Sequence, residues 1–131
     1  MNMKPLFSGI VIAAFLFSTS VTSFGQKNKG TVLEKGTDEY KMFMARQDFF
    51  AGDYRSAVNK YKEVLKNRPA DASVQFFLGE SYFMMREYTT ALEFLETAKT
   101  TNPAANTELN LILGRTYHSK GMLDKALFEL N

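Results

Sequence analysis

The sequence contains no cysteine, a single histidine and no large excess of either charge. Without cysteine the protein has no disulfide, no thiolate metal ligand, no cysteine nucleophile and no lipid-modified N-terminal cysteine. A zinc site is not expected either, because such sites usually draw on several His or Cys ligands and this chain offers only His118. The 16 Lys and Arg residues against 14 Asp and Glu leave a net charge of +2. This balance does not match the strongly basic surface typical of nucleic-acid-binding proteins.

Residues 1–25 have the layout of a secretory signal peptide. Lys4 precedes an apolar run at residues 6–17, and small residues come just before Gln26. As a helix this run would extend only ~18 Å, whereas the hydrocarbon core of a bilayer is ~30 Å thick. We therefore expect cleavage before Gln26 and export, instead of a retained membrane helix. Residues 26–37 are mostly polar and are predicted to form a flexible lead-in to one small domain.

From Asp38 onward the sequence repeats itself with a period of about 34 residues. Pro69 recurs as Pro103, and Leu78 with Gly79 recurs as Leu113 with Gly114. Other residues keep the same phase in two or three copies: Tyr54 and Tyr88, Tyr82 and Tyr117, and Ala57, Ala91 and Ala126. A period of this length indicates a stack of helical hairpins, since each hairpin needs a neighbour to cover its apolar face.

Apolar residues spaced by three and four positions predict two helices in each copy. The first helices are predicted over residues 38–50, 72–85 and 107–120, and the second helices from Tyr54, Tyr88 and Leu123. Asp53 and Asp71 stand where N-caps are needed, and Gly52 and Gly121 where the hairpins turn. The predicted fold class is therefore all-α.

Gly79 and Gly114 fall inside predicted helices, where glycine costs ~1 kcal/mol relative to alanine. Their recurrence at one phase indicates a packing reason, because a missing side chain lets the facing helix approach closely. Ala45 takes the equivalent place in the first copy. We expect the facing helices to present the small residues Ala57, Ala91 and Ala126.

With these features the sequence resembles the tetratricopeptide repeat (TPR) family. The second copy carries the motif almost whole, at Leu78, Gly79, Tyr82, Tyr88, Ala91, Leu95, Ala98 and Pro103. The first copy is weaker, because Asp48 and Val64 replace an aromatic residue and an alanine. The resemblance implies α-α hairpin repeats stacked as a right-handed TPR solenoid over residues 38–131. The expected repeats are 38–71, 72–106 and 107–131, of which the last is incomplete.

The resemblance also implies that the first helices line a concave groove for a partner segment. The groove residues it implies are Met42, Arg46 and Phe49, then Phe76, Glu80 and Phe83, then Leu111, Arg115 and His118. Aromatic and Met side chains offer adaptable apolar contacts, and the charged residues can set the polarity of a bound segment. Packing between adjacent hairpins is the alternative role for Phe49 and Phe83. The Lys, Asn and Arg clamp with which some members grip a C-terminal carboxylate is not expected here.

Nothing in the sequence predicts catalysis or a cofactor. His118 is a lone histidine on a predicted helix face, with no nucleophile tied to it by a motif. Ser81 and Ser119 lie in predicted helices without a nucleophile elbow, and there is no phosphate-binding Gly-rich loop. We therefore expect a protein that is not an enzyme, holds no metal or cofactor, and binds a protein or peptide.

The predicted third hairpin stops partway through its second helix, at Asn131. Leu123, Leu127 and Leu130 would then be exposed, although helical solenoids need covered ends. We expect either that the chain is the N-terminal part of a longer protein, or that a partner or a second copy covers this end by self-association.

The favoured interpretation is an exported interaction scaffold of the cell envelope, periplasmic or associated with the outer membrane, within a larger envelope or secretion-associated protein. A leader followed by such repeats loosely resembles the N-terminal region of Bacteroidota envelope proteins of the outer-membrane-protein-A type. Two alternatives stay open: a periplasmic sensor module of a signalling protein, and an accessory module of an enzyme. No membrane span after leader cleavage and no nucleic-acid partner are expected.

Overall fold

The computed structural model describes residues 34–103 and 107–131, and these residues form six α-helices and no strand. The helices are α1 (Asp38–Phe50), α2 (Tyr54–Asn67), α3 (Ala72–Met84), α4 (Tyr88–Thr101), α5 (Thr107–Ser119) and α6 (Leu123–Leu130). The ends of the predicted first helices agree with these bounds to within one residue, and the second helices begin where predicted. The predicted leader and residues 26–33 of the predicted lead-in lie outside the described residues.

Consecutive helices pair into three hairpins, and each hairpin packs on the next. Stacked aromatic rings join the cores of the first and second hairpins. Tyr61 of α2 lies on Phe77 of α3, with the ring centroids 5.6 Å apart. Burial raises the pKa of Tyr61 to about 12. Gln75 is buried; it donates to the carbonyl of Pro69 at 2.9 Å and accepts from the Thr101 hydroxyl at 3.1 Å. It thereby ties the loop before α3 to the end of α4.

The three hairpin turns share one backbone conformation. Gly52, Arg86 and Gly121 hold left-handed φ angles of 82°, 63° and 74°. The following amide donates to a carbonyl five residues back, as from Asp53 to Asp48 at 2.9 Å. Such a Schellman ending pairs a carbonyl that the helix leaves free. The predicted glycine turns are confirmed, and at the second turn Arg86 adopts a conformation that costs a residue with a Cβ ~1–2 kcal/mol.

Side chains cap the N-termini of α1, α2 and α3. Asp53 accepts from the amide of Ser56 at 3.0 Å, and Asp71 accepts from the amide of Ser73 at 3.0 Å. Hydrogen bonding with Ser56 holds the pKa of Asp53 below its ordinary value. Thr37 caps α1 in the same way. Both predicted aspartate caps are therefore confirmed, and each satisfies an amide that its helix leaves unpaired.

Gly79 and Gly114 lie at close approaches inside the second and third hairpins. A Cβ on Gly79 would stand 2.5 Å from Cγ of Leu95 and 3.2 Å from the carbonyl oxygen of Ala91, both on α4. A Cβ on Gly114 would stand 2.7 Å from Cγ of Leu130 on α6. The predicted close approach is confirmed, but a leucine side chain lies nearest to each glycine; the predicted alanine is among the nearest residues at Gly79, whereas Glu129 takes that place at Gly114.

The last hairpin is shorter than the other two. Helix α6 has 8 residues, whereas α2 and α4 have 14 each. Its side chains Leu123, Leu127 and Phe128 are exposed. Of the helices in the described ranges, none combines the length and the apolar character that a membrane crossing requires.

Candidate binding groove

Three equivalent positions on the first helices carry charges of alternating sign: Arg46 on α1, Glu80 on α3 and Arg115 on α5. Each directly follows the small residue that packs inside its hairpin. Because neighbouring residues on a helix point ~100° apart, these side chains turn away from the hairpin contact, and both arginines are exposed. The repeat therefore places one charged residue per hairpin outside the core.

Both arginines lie over phenylalanine rings of α3. The guanidinium carbon of Arg46 is 5.2 Å from the ring centroid of Phe77, and that of Arg115 is 5.0 Å from the ring centroid of Phe83. Within the described ranges neither guanidinium has a carboxylate within 4.0 Å. A cation–π contact of this kind fixes a guanidinium over an apolar platform and leaves its N–H groups available to another acceptor.

Glu80 is partly buried on α3. Burial raises the pKa of its carboxyl, the nearby Glu108 raises it further, and Arg46 opposes the shift. Charged groups of α1, α3 and α5 therefore lie within electrostatic range of one another. We call the surface that these three helices share the first-helix face, formed by Arg46, Phe77, Glu80, Phe83, Leu111, Arg115 and His118.

A pocket of about 400 Å³ opens at one end of this face, between α3, α4, α5 and α6. We call it the His118 pocket; its lining residues are Phe83, Tyr88, Arg115, His118, Ser119 and Leu130. The structure thus brings Phe83, Arg115 and His118, three predicted groove residues, to one place. Leu111 lies on the same face of α5 and is 46% exposed.

The His118 pocket lies beside a departure from the repeat. The first two hairpins each hold an aromatic pair where their helices meet, Phe49 with Tyr54 at 5.3 Å and Phe83 with Tyr88 at 5.8 Å between centroids. In the third hairpin His118 and Leu123 occupy the equivalent positions. Of these two residues, His118 lines the pocket and Leu123 does not.

The other predicted groove residues lie deeper. Met42 and Phe49 are partly buried against the core at the first hairpin. Phe76 is 7% exposed and belongs to the core, with its ring centroid 5.3 Å from that of Phe77. These three side chains offer a partner less surface than Leu111 does, and their role in a groove stays a prediction.

Tyr88 and Leu130 were not predicted to line the groove, because both belong to second helices, which the TPR pattern places outside it. Phe77, the platform under Arg46, was predicted to lie on the groove surface only as a replacement for a residue of the carboxylate clamp. A signal for the pocket was present in the sequence: a Phe and a Tyr recur five residues apart in two copies, and the third copy breaks that pattern.

The chemistry of the first-helix face suits the binding of a polypeptide. It combines two arginines without carboxylate partners, one partly buried carboxylate, aromatic rings and an exposed leucine. In the part of the chain that the structure describes, no three His, Asp or Glu side chains cluster as a metal site would require.

Comparison with known proteins agrees with this architecture. Residues 44–106 match the tetratricopeptide repeat family. No curated protein sequence matches the chain. Among solved structures, MamA superposes with a TM-score of 0.67 at 21% identity, over 76% of this chain and 57% of that one.

Two further solved structures share the arrangement of helices. The first TPR of Spaghetti (RPAP3), bound to an HSP90 peptide, gives a TM-score of 0.67 at 16% identity, over 73% of this chain and 75% of that one. The type III secretion translocator chaperone SycD of Yersinia enterocolitica gives 0.67 at 18% identity, over 73% and 72%. At these identities the likeness establishes the fold, a stack of TPR-like helical hairpins.

Proposed function

We propose that this tetratricopeptide-repeat protein is an exported protein–protein interaction scaffold of the cell envelope that holds a partner segment on its first-helix face. One observation carries the proposal: three first helices present a common face on which Arg46 and Arg115 lack carboxylate partners while apolar side chains stay exposed. Unpaired cations beside exposed apolar surface are typical of a binding surface.

Proteins of the same fold support a role in binding partners. The Spaghetti repeat is bound to an HSP90 peptide, and SycD is a translocator chaperone. A further structure of this fold is the CopN–Scc3 complex, with a TM-score of 0.66. The leader-like residues 1–25 support the envelope part of the proposal, in which the chain is the N-terminal arm of a larger envelope or secretion-associated protein.

Export can be tested with a fusion of residues 1–37 to a β-lactamase that lacks its own leader. In a Gram-negative host the fusion should confer ampicillin resistance, because the enzyme protects cells only when it reaches the periplasm. The control is the same fusion with Ile12→Lys, which places a charge in the apolar run. Equal resistance from both fusions, or none from either, would refute export.

Partner binding can be tested with a photoreactive amino acid in the full protein, in cells of the organism that encodes it. Placed at Leu111 on the first-helix face, it should give a discrete cross-linked product. Placed at Glu93, an exposed residue of α4, it should not. The same product from Leu111 and Glu93 would contradict the proposed face. So would the absence of any product both from Leu111 and from a second probe position, the exposed Met84 of α3.

A further inference from the structure

We propose that the His118 pocket anchors a carboxylate of the partner, with an apolar residue of the partner beside it. The carboxylate is an acidic side chain or a polypeptide C-terminus. The inference rests on the proposed function and gives it a chemical specificity, because it names what the partner segment must carry.

The charges that line the pocket carry this inference. Arg115 and His118 line it and no Asp or Glu does. All 14 acidic residues of the chain lie within the described ranges, and none places a carboxylate within 4.0 Å of either side chain. A guanidinium in this position can donate two parallel hydrogen bonds to one carboxylate. The pocket is thus complementary to an anion that none of these 14 acidic residues supplies.

The walls of the pocket favour an apolar neighbour for that anion. Phe83, Tyr88 and Leu130 supply apolar surface around Arg115 and His118, the two side chains that can donate hydrogen bonds to an anion. Ser119 donates its hydroxyl hydrogen to the Arg115 carbonyl at 3.0 Å, so it is not a free donor. A volume of about 400 Å³ is within the range of ligand pockets.

Neighbouring features direct the carboxylate to this pocket. Glu80 holds the equivalent position on α3 and would repel an anion at the middle of the first-helix face. A second pocket, of about 360 Å³, contains Lys125 but also Asp124 and Glu129, and Glu129 is already paired with Lys99. That pocket carries its own carboxylates, so Lys125 provides a matched control cation for Arg115.

The test begins with random dodecapeptides carrying a free C-terminus, selected for binding to the purified full chain. We expect enrichment of Asp, Glu or a terminal carboxylate next to an aromatic or aliphatic residue. Fluorescence anisotropy then compares a selected peptide on wild type, Arg115→Gln and Lys125→Gln. Loss of one ionic hydrogen-bonded contact should weaken binding to Arg115→Gln about tenfold, whereas Lys125→Gln should bind like wild type.

Peptide variants identify the source of the carboxylate. Replacement of the peptide Glu by Gln, or amidation of its C-terminus, should reproduce the tenfold loss on wild type and cause little further loss on Arg115→Gln. Arg115→Lys should bind better than Arg115→Gln because it keeps the charge. Thermal melts followed by circular dichroism check that each variant is folded.

The outcomes separate this inference from the proposed function. If Arg115→Gln binds as tightly as Lys125→Gln, or if neither peptide change weakens binding, the carboxylate anchor is wrong. The scaffold role then stands only if Leu111→Arg abolishes binding. If selected peptides bind Leu111→Arg as well as wild type, or no peptide is selected, both the proposed face and its anchor are wrong.

Discussion

Replacement of Gly79 by alanine tests the packing on which the repeat depends. The new Cβ would lie 2.5 Å from Cγ and 2.8 Å from Cδ2 of Leu95, which is 0% exposed, and 3.2 Å from the Ala91 carbonyl oxygen. The leucine branch point and the backbone oxygen cannot rotate away as a flexible chain end could. We therefore expect the two helices of the second hairpin to be forced apart.

The magnitude follows from two opposing effects. Alanine in place of a helical glycine is favourable by ~1 kcal/mol, whereas overpacking of a core costs ~1–3 kcal/mol. Because Leu95 is fully enclosed, we place the cost at the upper end, which leaves a net loss of ~2 kcal/mol. For a domain of this size such a loss lowers Tm by about 10 °C.

Gly114→Ala is the matched control, because it makes the same change at the same repeat position. Its Cβ would meet Leu130 at 2.7 Å, but Leu130 is 49% exposed at the end of α6 and can swing outward. The gain in helix propensity should then offset most of the cost. Urea and thermal unfolding, followed by circular dichroism, measure both variants.

Two results would refute this reasoning. One is a Gly79→Ala protein at least as stable as wild type, and the other is an equal loss in both variants. A double-mutant cycle strengthens the test: Leu95→Ala removes the clashing atoms, so Gly79→Ala should cost less in that background than in wild type.

Two further predictions concern the turn at Arg86 and the carboxyl of Glu80. Arg86→Gly should raise the free energy of unfolding by ~1 kcal/mol in urea titrations, since glycine adopts a left-handed φ without strain. Gly52→Ala, whose new Cβ meets no atom within 4 Å, should lower the free energy of unfolding by a similar amount. A loss of stability in Arg86→Gly or a gain in Gly52→Ala would contradict backbone strain at these turns. Burial raises the pKa of Glu80, so the folded state binds this proton more tightly than the unfolded state, and stability falls as pH rises through that interval. Glu80→Gln should therefore have a higher Tm than wild type near neutral pH and lose that advantage in acid below both pKa values; an advantage that grows in acid would contradict the shift.

Most of the fold could be predicted from the sequence because its determinants are local and recur. Aspartate caps, glycine turns and apolar spacing act within one hairpin, and a second copy confirms what one copy only suggests. Arg86 was missed because propensity disfavours arginine at a left-handed φ, while the surrounding Schellman hydrogen bonds impose that conformation. At this turn the hydrogen bonds of the hairpin outweigh the backbone preference of Arg86.

The candidate site was less predictable because it depends on how hairpins pack on one another. The spacing within α3 groups Phe76, Glu80 and Phe83 on one stripe, but it does not set how far α1 and α5 cover that stripe. In the structure Phe76 lies in the core, and Phe77 instead becomes the platform for Arg46. A partly buried residue of a first helix can therefore face either the groove or the neighbouring hairpin. Only the packing between the hairpins decides which of the two it faces.

Departures from the repeat, more than its recurring residues, indicate where a partner would bind. The recurring Gly79 and Gly114 are explained by hairpin packing, and they would be the same whatever the protein bound. His118 replaces a phenylalanine that pairs with a tyrosine in two other hairpins, and it lines a pocket beside an arginine that has no carboxylate partner. His118→Phe should place a larger ring in the pocket lining while keeping Arg115. If the carboxylate anchor is correct, this variant should fold at least as well as wild type and lose peptide binding, and retained binding would place the anchor elsewhere.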